Sequence, residues 1–184
     1  ALDTLPDPLA GEAGFAASNS SIALGPEGCA YIGTGGGVVA RVLRSCDFGD
    51  SWTALDTPVA AGSSGAGIFA VTISADGVLA VSGGDYQQPD ARAGNFALSR
   101  DAGESWMTVA SPPGGYRSDL VEQSGRWLSV GTNGVDTGGW QDDQIVWQPT
   151  VWPIEAPNAV AFAPSGEVGW IIGANGGIWR VSPQ

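Results

Sequence analysis

Two stretches of eight residues decide the fold of this chain: SCDFGDSW at Ser45–Trp52 and SRDAGESW at Ser99–Trp106. Both read S-x-D-x-G-x-S-W, which is typical of a tight turn between two strands. In such a turn the Asp carboxylate accepts hydrogen bonds from backbone N–H groups, the Gly adopts a positive φ, and the Trp ring packs beneath the turn. The positions that we assign to this structural role are Ser45, Asp47, Gly49, Trp52, Ser99, Asp101, Gly103 and Trp106.

A third, altered copy gives the period of the repeat. Asp142 precedes Trp147 by five positions, as in the two complete copies, although Gln144 replaces the Gly. The intervals between the three Asp residues are 54 and 41, near the ~40–50 residues of one four-stranded propeller blade. We therefore expect an all-β protein, a β-propeller of about four four-stranded antiparallel blades.

The composition restricts the functions that this chain can have. Its 184 residues include 19 acidic side chains, seven arginines, no lysine and no histidine, which gives a net charge of −12. This charge argues against nucleic acid and anionic membrane surfaces as partners. The absence of histidine excludes Ser–His and Cys–His catalysis and removes the commonest metal ligand. No apolar run approaches the ~20 residues of a membrane-spanning helix, and we expect neither a cofactor nor a metal.

The predicted blades lie within one domain of residues 1–184. Their boundaries are about residues 15–58, 66–112, 116–153 and 157–183, each with strands a to d from the propeller axis outward. In the second blade, strand d is predicted at Trp106–Ala110. In the third, strand c cannot be located within residues 135–143, which read VDTGGWQDD. In the fourth, no strand d is predicted after Gly177–Val181.

Residues 1–6 are predicted to form an outer strand without a blade of its own. Ala1-Leu2-Asp3-Thr4 repeats the sequence of residues 54–57 in the first blade. Either this segment completes the fourth blade and closes a four-bladed ring, or it belongs to a preceding blade of a larger propeller. We favour the closed ring, because it pairs the otherwise bare edge of Gly177–Val181.

The two turns resemble the Asp-box, and the chain resembles the Asp-box (BNR-repeat) β-propellers. The segments AYIGTGG, GIFAVTIS, SGGDY, GGYRS, SVGTNG and GWIIGANGGIWRV are similar to bacterial and plastid propellers related to the photosystem II stability/assembly factor. The resemblance covers nearly the whole chain but matches only the later blades of a propeller with about seven. It implies a non-enzymatic scaffold that helps to assemble a protein complex or belongs to a larger, membrane-associated one.

The best candidates for binding lie on the mouth of the propeller, the end opposite the Asp-box turns. Connections from several blades bring carboxylates, aromatic side chains and arginines together there, which suits a binding surface. The candidates are Asp85, Tyr86, Asp90, Arg92, Tyr116, Arg117, Asn133 and Asp136. We expect Tyr116 and Arg117, on the connection GGYRS, to make the strongest contacts with a partner. The alternative is that these are solvated turn residues.

Two other functions stay open. A sialidase-like glycoside hydrolase is compatible with Asp-box repeats, but its chemistry needs three converging arginines. Arg117 has no convincing partners for that role, because Arg44 and Arg100 adjoin the Asp-boxes. A glycan-binding module would use Trp and Tyr side chains as platforms. No pair of carboxylates stands out for glycoside hydrolysis, so no catalytic residue is assigned.

The two cysteines indicate the cellular compartment in which the protein acts, because their oxidation state depends on it. Cys29 opens strand b of the first blade and Cys46 follows strand c, so pairing outward from a turn near residue 37 brings residue 29 opposite 45 or 46. A disulfide is then within reach, and the alternative is two buried thiols. We favour the disulfide and with it an exported protein, periplasmic or extracellular.

Overall fold

Four antiparallel sheets follow one another along the chain in the computed structural model, which describes residues 4–15, 18 and 20–182. Blade 1 contains β1 (Ile22–Leu24), β2 (Ala30–Gly33), β3 (Arg41–Ser45) and β4 (Thr53–Asp56). Blade 2 contains β5 (Ala66–Ile73), β6 (Leu79–Asp85) and β7 (Phe96–Ser99). Blade 3 contains β8 (Asp119–Gln123), β9 (Arg126–Gly131), β10 (Gly134–Gln141) and β11 (Gln144–Pro149), and blade 4 contains β12 (Pro157–Phe162), β13 (Gly169–Gly173) and β14 (Ile178–Val181). Within each sheet the strands pair in sequence order.

The two S-x-D-x-G-x-S-W segments form turns of the same geometry, which we call the repeat turns. In the first, Asp47 accepts hydrogen bonds from the backbone N–H of Ser51 at 2.9 Å and from its hydroxyl at 2.5 Å. The Ser45 hydroxyl donates to Asp47 at 2.8 Å and accepts from the N–H of Gly49 at 2.9 Å. Gly49 and Gly103 have φ of 94° and 93°, a region that a β-carbon disfavours. The second turn repeats these contacts around Asp101.

Two outer strands differ from the sequence prediction. The predicted strand Trp106–Ala110 of blade 2 is reduced to a single bridge between Leu98 and Met107, so blade 2 has three regular strands. The obscured strand of blade 3 is β10, which ends in a two-residue turn at Asp142 and Asp143. This hairpin replaces a third repeat turn, because Gln141 pairs directly with Gln144 and leaves no room for the longer motif.

The hydrophobic core lies between the blades rather than inside any one of them. Blades 1 and 2 share a cluster around Val42, Ile68 and Val81. A second cluster joins blades 2 and 3, and a third joins blades 3 and 4. β6 is buried along its whole length, because blade 2 has a neighbour on each face.

The outer faces of the two end blades are exposed and apolar. On blade 1, Ile22 and Leu24 are 51% and 78% exposed, and on blade 4, Ile178 is 70% exposed. These side chains are therefore not packed against each other. The described residues do not show a closed ring, and we call their four successive blades the arc. The predicted closing strand lies largely outside the described residues, because Ala1–Asp3 are not among them; Thr4 and Leu5 are not in a strand.

A disulfide joins Cys29 and Cys46 at the repeat-turn end of blade 1, with an S–S distance of 2.04 Å. Pairing of Ala30 with Ser45 places the two cysteines side by side beyond the ends of β2 and β3. No helix among the described residues is long and apolar enough to cross a membrane.

We predict that Asp47→Ala lowers the urea midpoint of unfolding. The substitution leaves the N–H and hydroxyl of Ser51 without their acceptor, and turn groups without partners destabilise the fold. Asp50→Ala is the matched control, because it removes the same charge from an exposed position in the same turn. Equal midpoints for the two variants would show that the carboxylate does not hold the turn.

The same turns predict acid sensitivity. Hydrogen bonds from Ser51 and Ser105 lower the pKa of Asp47 and of Asp101 from 3.8 to about 2. A carboxylate with a depressed pKa in the folded protein stabilises it above the unfolded pKa, and this contribution is lost as the pH falls from about 4 towards 2. We expect the urea midpoint to fall over that range, and to fall less steeply in a double variant with Asp47→Asn and Asp101→Asn. A pH dependence identical to that of the unaltered chain would contradict this assignment.

Candidate functional site

The antiparallel order of the strands puts the repeat turns at one end of the strands and the predicted mouth at the opposite end. The mouth contains the β2–β3, β6–β7 and β9–β10 connections. The longest of them is the β6–β7 connection, and together with the last residue of β6 it forms the segment 85–94, which we call the mouth loop. Its side chains from Tyr86 to Gln88 and from Asp90 to Ala93 are exposed.

Hydrogen bonds to fixed parts of the fold hold the mouth loop in place. At its start, buried Asp85 accepts from the Ser63 hydroxyl at 2.8 Å and from the N–H of Gln87 at 2.9 Å. In the middle, the carbonyl of Pro89 accepts from the Asn133 side chain at 2.8 Å and from the N–H of Tyr116 at 2.9 Å. The loop is therefore exposed at its tip but constrained at its base.

The arginine of the mouth loop, Arg92, also forms hydrogen bonds to the rest of the fold. Arg92 donates to the carbonyls of Pro112 and Pro113 at 2.8 and 3.3 Å. Asp90 accepts from the Asn133 side chain at 3.1 Å. Arg92 and Asp90 thus connect the loop to the segments that precede β8 and β10.

Arg117 is the centre of a buried polar network, not an exposed contact. Its side chain is 2% exposed and forms a salt bridge with the equally buried Asp136. Its remaining nitrogen donates to the side-chain oxygen of Asn133 at 2.5 Å and to the carbonyl of Tyr116 at 2.7 Å. Burial lowers the pKa of Arg117, and the Asp136 carboxylate opposes this effect. We expected Arg117 to contact a partner; its burial corrects that expectation.

Tyr116 is also buried, in an aromatic cluster at the mouth. Its ring packs edge-on against Phe69, with centroids 4.8 Å apart, and Phe69 stacks on Phe15 at 4.0 Å. Burial, with a smaller contribution from Tyr86, raises the pKa of Tyr116 to about 12. Tyr86 completes the cluster and is half exposed. Of the two predicted mouth tyrosines, Tyr86 is the one that a partner can reach.

Sequence reasoning missed the residues that tie the leading segment to the mouth. Glu12 forms a salt bridge with Arg41 and accepts from the Thr34 hydroxyl at 2.7 Å. These bonds and the backbone bond to Leu9 outweigh the opposing effect of burial and lower the pKa of Glu12 to about 2. Phe15, three residues on, joins the aromatic cluster. Neither residue lies in a strand pattern or a motif, so the sequence carries no signal for them.

Asp119 is a second residue that the sequence did not indicate. It lies near the propeller axis and accepts from the N–H groups of Leu120 and Val160, both at 2.8 Å. Burial raises its pKa. Because Val160 belongs to the following blade, the carboxyl joins blade 3 to blade 4, and we assign it a structural role.

The carboxylates and arginines of the mouth that the structure describes are bonded to neighbouring groups. Asp85, Asp136 and Asp90 accept hydrogen bonds from neighbouring groups, and Arg92 and Arg117 donate theirs to carbonyl groups, Asn133 and Asp136. Within the described ranges, no group of three or more Cys, Asp or Glu side chains is placed to hold a metal ion. The described mouth residues therefore form a surface held together by its own hydrogen bonds.

We predict that Arg117→Ala destabilises the fold by about 3–5 kcal/mol, the usual cost of removing one partner from a buried ion pair. The substitution leaves Asp136 buried without its counter-charge. Arg126→Ala is the control, because Arg126 is exposed, and its effect should stay within about 0.5 kcal/mol. Urea unfolding measures both. Similar unfolding free energies for the two variants would show that the Arg117 network does not stabilise the mouth.

Comparison with solved structures identifies proteins of similar fold. The computationally designed Ika4 protein matches with a TM-score of 0.60 at 9% identity, over 90% of this chain and 93% of that one. The gluconolactonase XC5397 from Xanthomonas campestris matches with a TM-score of 0.61 at 16% identity, over 91% of this chain and 59% of that one. YCF48 from Cyanidioschyzon merolae matches with a TM-score of 0.51 at 13% identity, over 90% of this chain and 66% of that one.

These similarities establish the fold but neither a family nor a function, because the sequence identities are low in all three comparisons. The chain spans 59% of the length of the gluconolactonase and 66% of that of YCF48. No protein-family model matches the sequence, and no curated protein matches it significantly. The structural neighbours are β-propellers, and this chain has an all-β propeller fold with four blades in the part described.

Proposed function

We propose that this chain is a non-enzymatic binding propeller that acts in the assembly of a protein complex or as a subunit of a larger, membrane-associated one. The observation that carries the proposal is the mouth loop, which is exposed at its tip and anchored at its base. A loop already held in one conformation loses little entropy when it binds. Its most accessible aromatic side chain is Tyr86, a residue type enriched among the strongest contacts of protein interfaces.

The alternatives are less well supported by the same geometry. Glycoside hydrolysis of the sialidase type needs several arginines free to hold a substrate carboxylate. At this mouth Arg117 is bound to Asp136 and Arg92 to two carbonyls. A glycan-binding role would depend on Tyr86 alone as a platform, since Tyr116 is 6% exposed. Protein binding requires only an exposed, constrained surface, and the mouth loop provides one.

We also propose that the chain is related to the Asp-box propellers and that the protein is exported. The repeat turns and their hydrogen bonds support the Asp-box assignment. The Cys29–Cys46 disulfide is compatible with an oxidising compartment, because disulfides persist there and are rare in reducing ones. We place the protein in the periplasm or outside the cell, with a protein partner and no nucleic-acid partner.

We predict that a photo-crosslinking amino acid at position 86 captures a protein partner in the native host. Tyr86→p-benzoylphenylalanine should give a discrete cross-linked band, identified by mass spectrometry. The matched control is the same amino acid at Phe48, which is 88% exposed but lies on a repeat turn at the opposite end. Against the captured protein, Tyr86→Ala should weaken binding by about tenfold or more, as expected for an interface hot spot.

A glycan array and a glycosidase screen distinguish the alternatives. Turnover of a glycan would overturn the non-enzymatic assignment. Saturable glycan binding that is lost in Tyr86→Ala, without a protein captured at position 86, would identify a glycan-binding module instead.

A further inference from the structure

The leading segment, residues 4–15, lies on the surface of the mouth at blade 1. Its residues are exposed apart from every third one, and these partly buried residues are Pro6, Leu9, Glu12 and Phe15. Ala13 pairs with Gly35 of the β2–β3 connection as an isolated bridge, with N–H to carbonyl distances of 2.9 and 3.0 Å in the two directions. The end of the segment therefore contacts the blades through one face and one backbone bridge, as an extended peptide ligand does.

A polar pocket of blade 1 holds the Glu12 carboxylate. Arg41 donates to it from Nε at 2.8 Å and also from a second nitrogen, and the Thr34 hydroxyl donates to it at 2.7 Å. Arg41 is 8% exposed and Thr34 is 4% exposed, so the blade supplies a buried cation and a buried hydroxyl for one carboxylate. Asp56 lies opposite Arg41 in the β3–β4 pair, which keeps an acidic group near the guanidinium when Glu12 leaves.

An aromatic pocket between blades 1 and 2 holds the Phe15 ring. The ring stacks on Phe69, with centroids 4.0 Å apart and planes 8° from parallel. Two glycines leave room for it: a β-carbon at Gly67 would lie 2.8 Å from the ring, and one at Gly35 would overlap it. Tyr86 also contacts Phe69, edge-on, with centroids 6.3 Å apart. The pocket therefore accepts a flat ring beside the exposed tyrosine of the mouth loop.

Together the two pockets select an acidic residue followed three positions later by an aromatic one. Between Glu12 and Phe15, the side chain of Ala13 is exposed and Gly14 has none, so the blades do not read these two positions. An ion pair, a backbone bridge and a ring stack are contacts that a segment of another protein with the same pattern can also make. Because the leading segment lies on the surface, it can leave without opening the core between the blades.

We propose that the two pockets form a recognition site for an extended protein segment of the pattern acidic-x-x-aromatic, and that residues 12–15 occupy this site until such a segment displaces them. The incoming carboxylate replaces Glu12 on Arg41 and Thr34, and the incoming ring replaces Phe15 on Phe69. The leading segment is then an autoinhibitory ligand of the mouth. This inference rests on the function proposed for the mouth and adds the chemistry of the partner segment.

A labelled peptide of residues 7–15, DPLAGEAGF, with both ends blocked, tests the site. The receiving chain carries Glu12→Gln and Phe15→Ala, which empty both pockets; we call it the emptied chain. The matched control chain carries Asp7→Asn and Leu5→Ala, which remove the same kinds of side chain from exposed positions of the leading segment. In fluorescence anisotropy we expect saturable binding to the emptied chain. Binding to the control chain should be about tenfold weaker or worse, because its own residues 12–15 occupy the site.

Variants of the peptide identify which pocket each side chain enters. Glu12→Gln and Phe15→Ala in the peptide should each weaken binding to the emptied chain by about tenfold or more, as expected for interface anchors. Pro8→Ala in the peptide, at an exposed position, should leave the affinity unchanged. Phe69→Ala added to the emptied chain should weaken binding of the unaltered peptide, because it removes the ring on which the peptide phenylalanine stacks.

Hydrogen exchange of the unaltered chain tests displacement without any substitution. The Ala13 amide donates to the carbonyl of Gly35 and the Thr34 amide to that of Arg41, both at 2.9 Å. Only the first of these bonds depends on the leading segment. After correction for intrinsic rates, we expect the Ala13 amide to exchange at least about tenfold faster than the Thr34 amide, because the segment opens while the blades stay folded.

Three results would overturn the proposal. The first is no saturable binding of the peptide to the emptied chain up to roughly 1 mM, although its circular dichroism matches that of the unaltered chain. The second is equal affinity of the emptied and control chains. The third is equal protection of the Ala13 and Thr34 amides, which would show that residues 12–15 leave only when the blades unfold; this measurement decides alone if the emptied chain does not fold. None of these tests needs a natural partner, so the capture of no protein at position 86 would overturn the proposed function but not this site.

Discussion

Each blade of this propeller is stabilised by the apolar face of the next blade. Single sheets of three or four strands bury little surface by themselves, so the core forms where two blades meet. Val42 and Val81, on blades 1 and 2, belong to one such cluster, and Val130 and Val160, on blades 3 and 4, belong to another. Any surface on which this stacking stops, such as the outer faces of blades 1 and 4, is apolar for the same reason.

The polar side chains at the mouth bond mainly to one another and to backbone carbonyls. Arg117, Asp136 and Asn133 satisfy one another in a buried network, which fixes the connections before β8 and β10 relative to each other. The mouth loop rests on that network through Pro89. Buried charge therefore acts here through rigidity, because it fixes the segments on which the mouth loop rests.

The sequence predicted what depends on local spacing. The repeat turns and the strands β3, β4 and β7 beside them follow from contacts within eight residues, and the spacing of Asp47 and Trp52 is enough to identify such a turn. The strand predicted after the second repeat turn is reduced to one bridge, so the local motif does not by itself fix the strand that follows it. Strand β10 was hidden because its glycines and polar residues lack an alternating pattern. The burial of Tyr116 and Arg117 depends on Phe69 and Asp136, which are distant in sequence, so a residue type on a connection could not reveal it.

The disulfide makes the two ends of the arc unequal. It closes a loop of 17 residues within blade 1, a constraint that removes about 3 kcal/mol of chain entropy from the unfolded state in the usual model. Blade 4 has no such link, and the outer edge of its last strand is unpaired in the described region. Local stability should therefore decline along the arc, with backbone amides of β13 and β14 exchanging with solvent sooner than those of β2 and β3. Because the covalent bond lies in blade 1, local unfolding should start in blade 4.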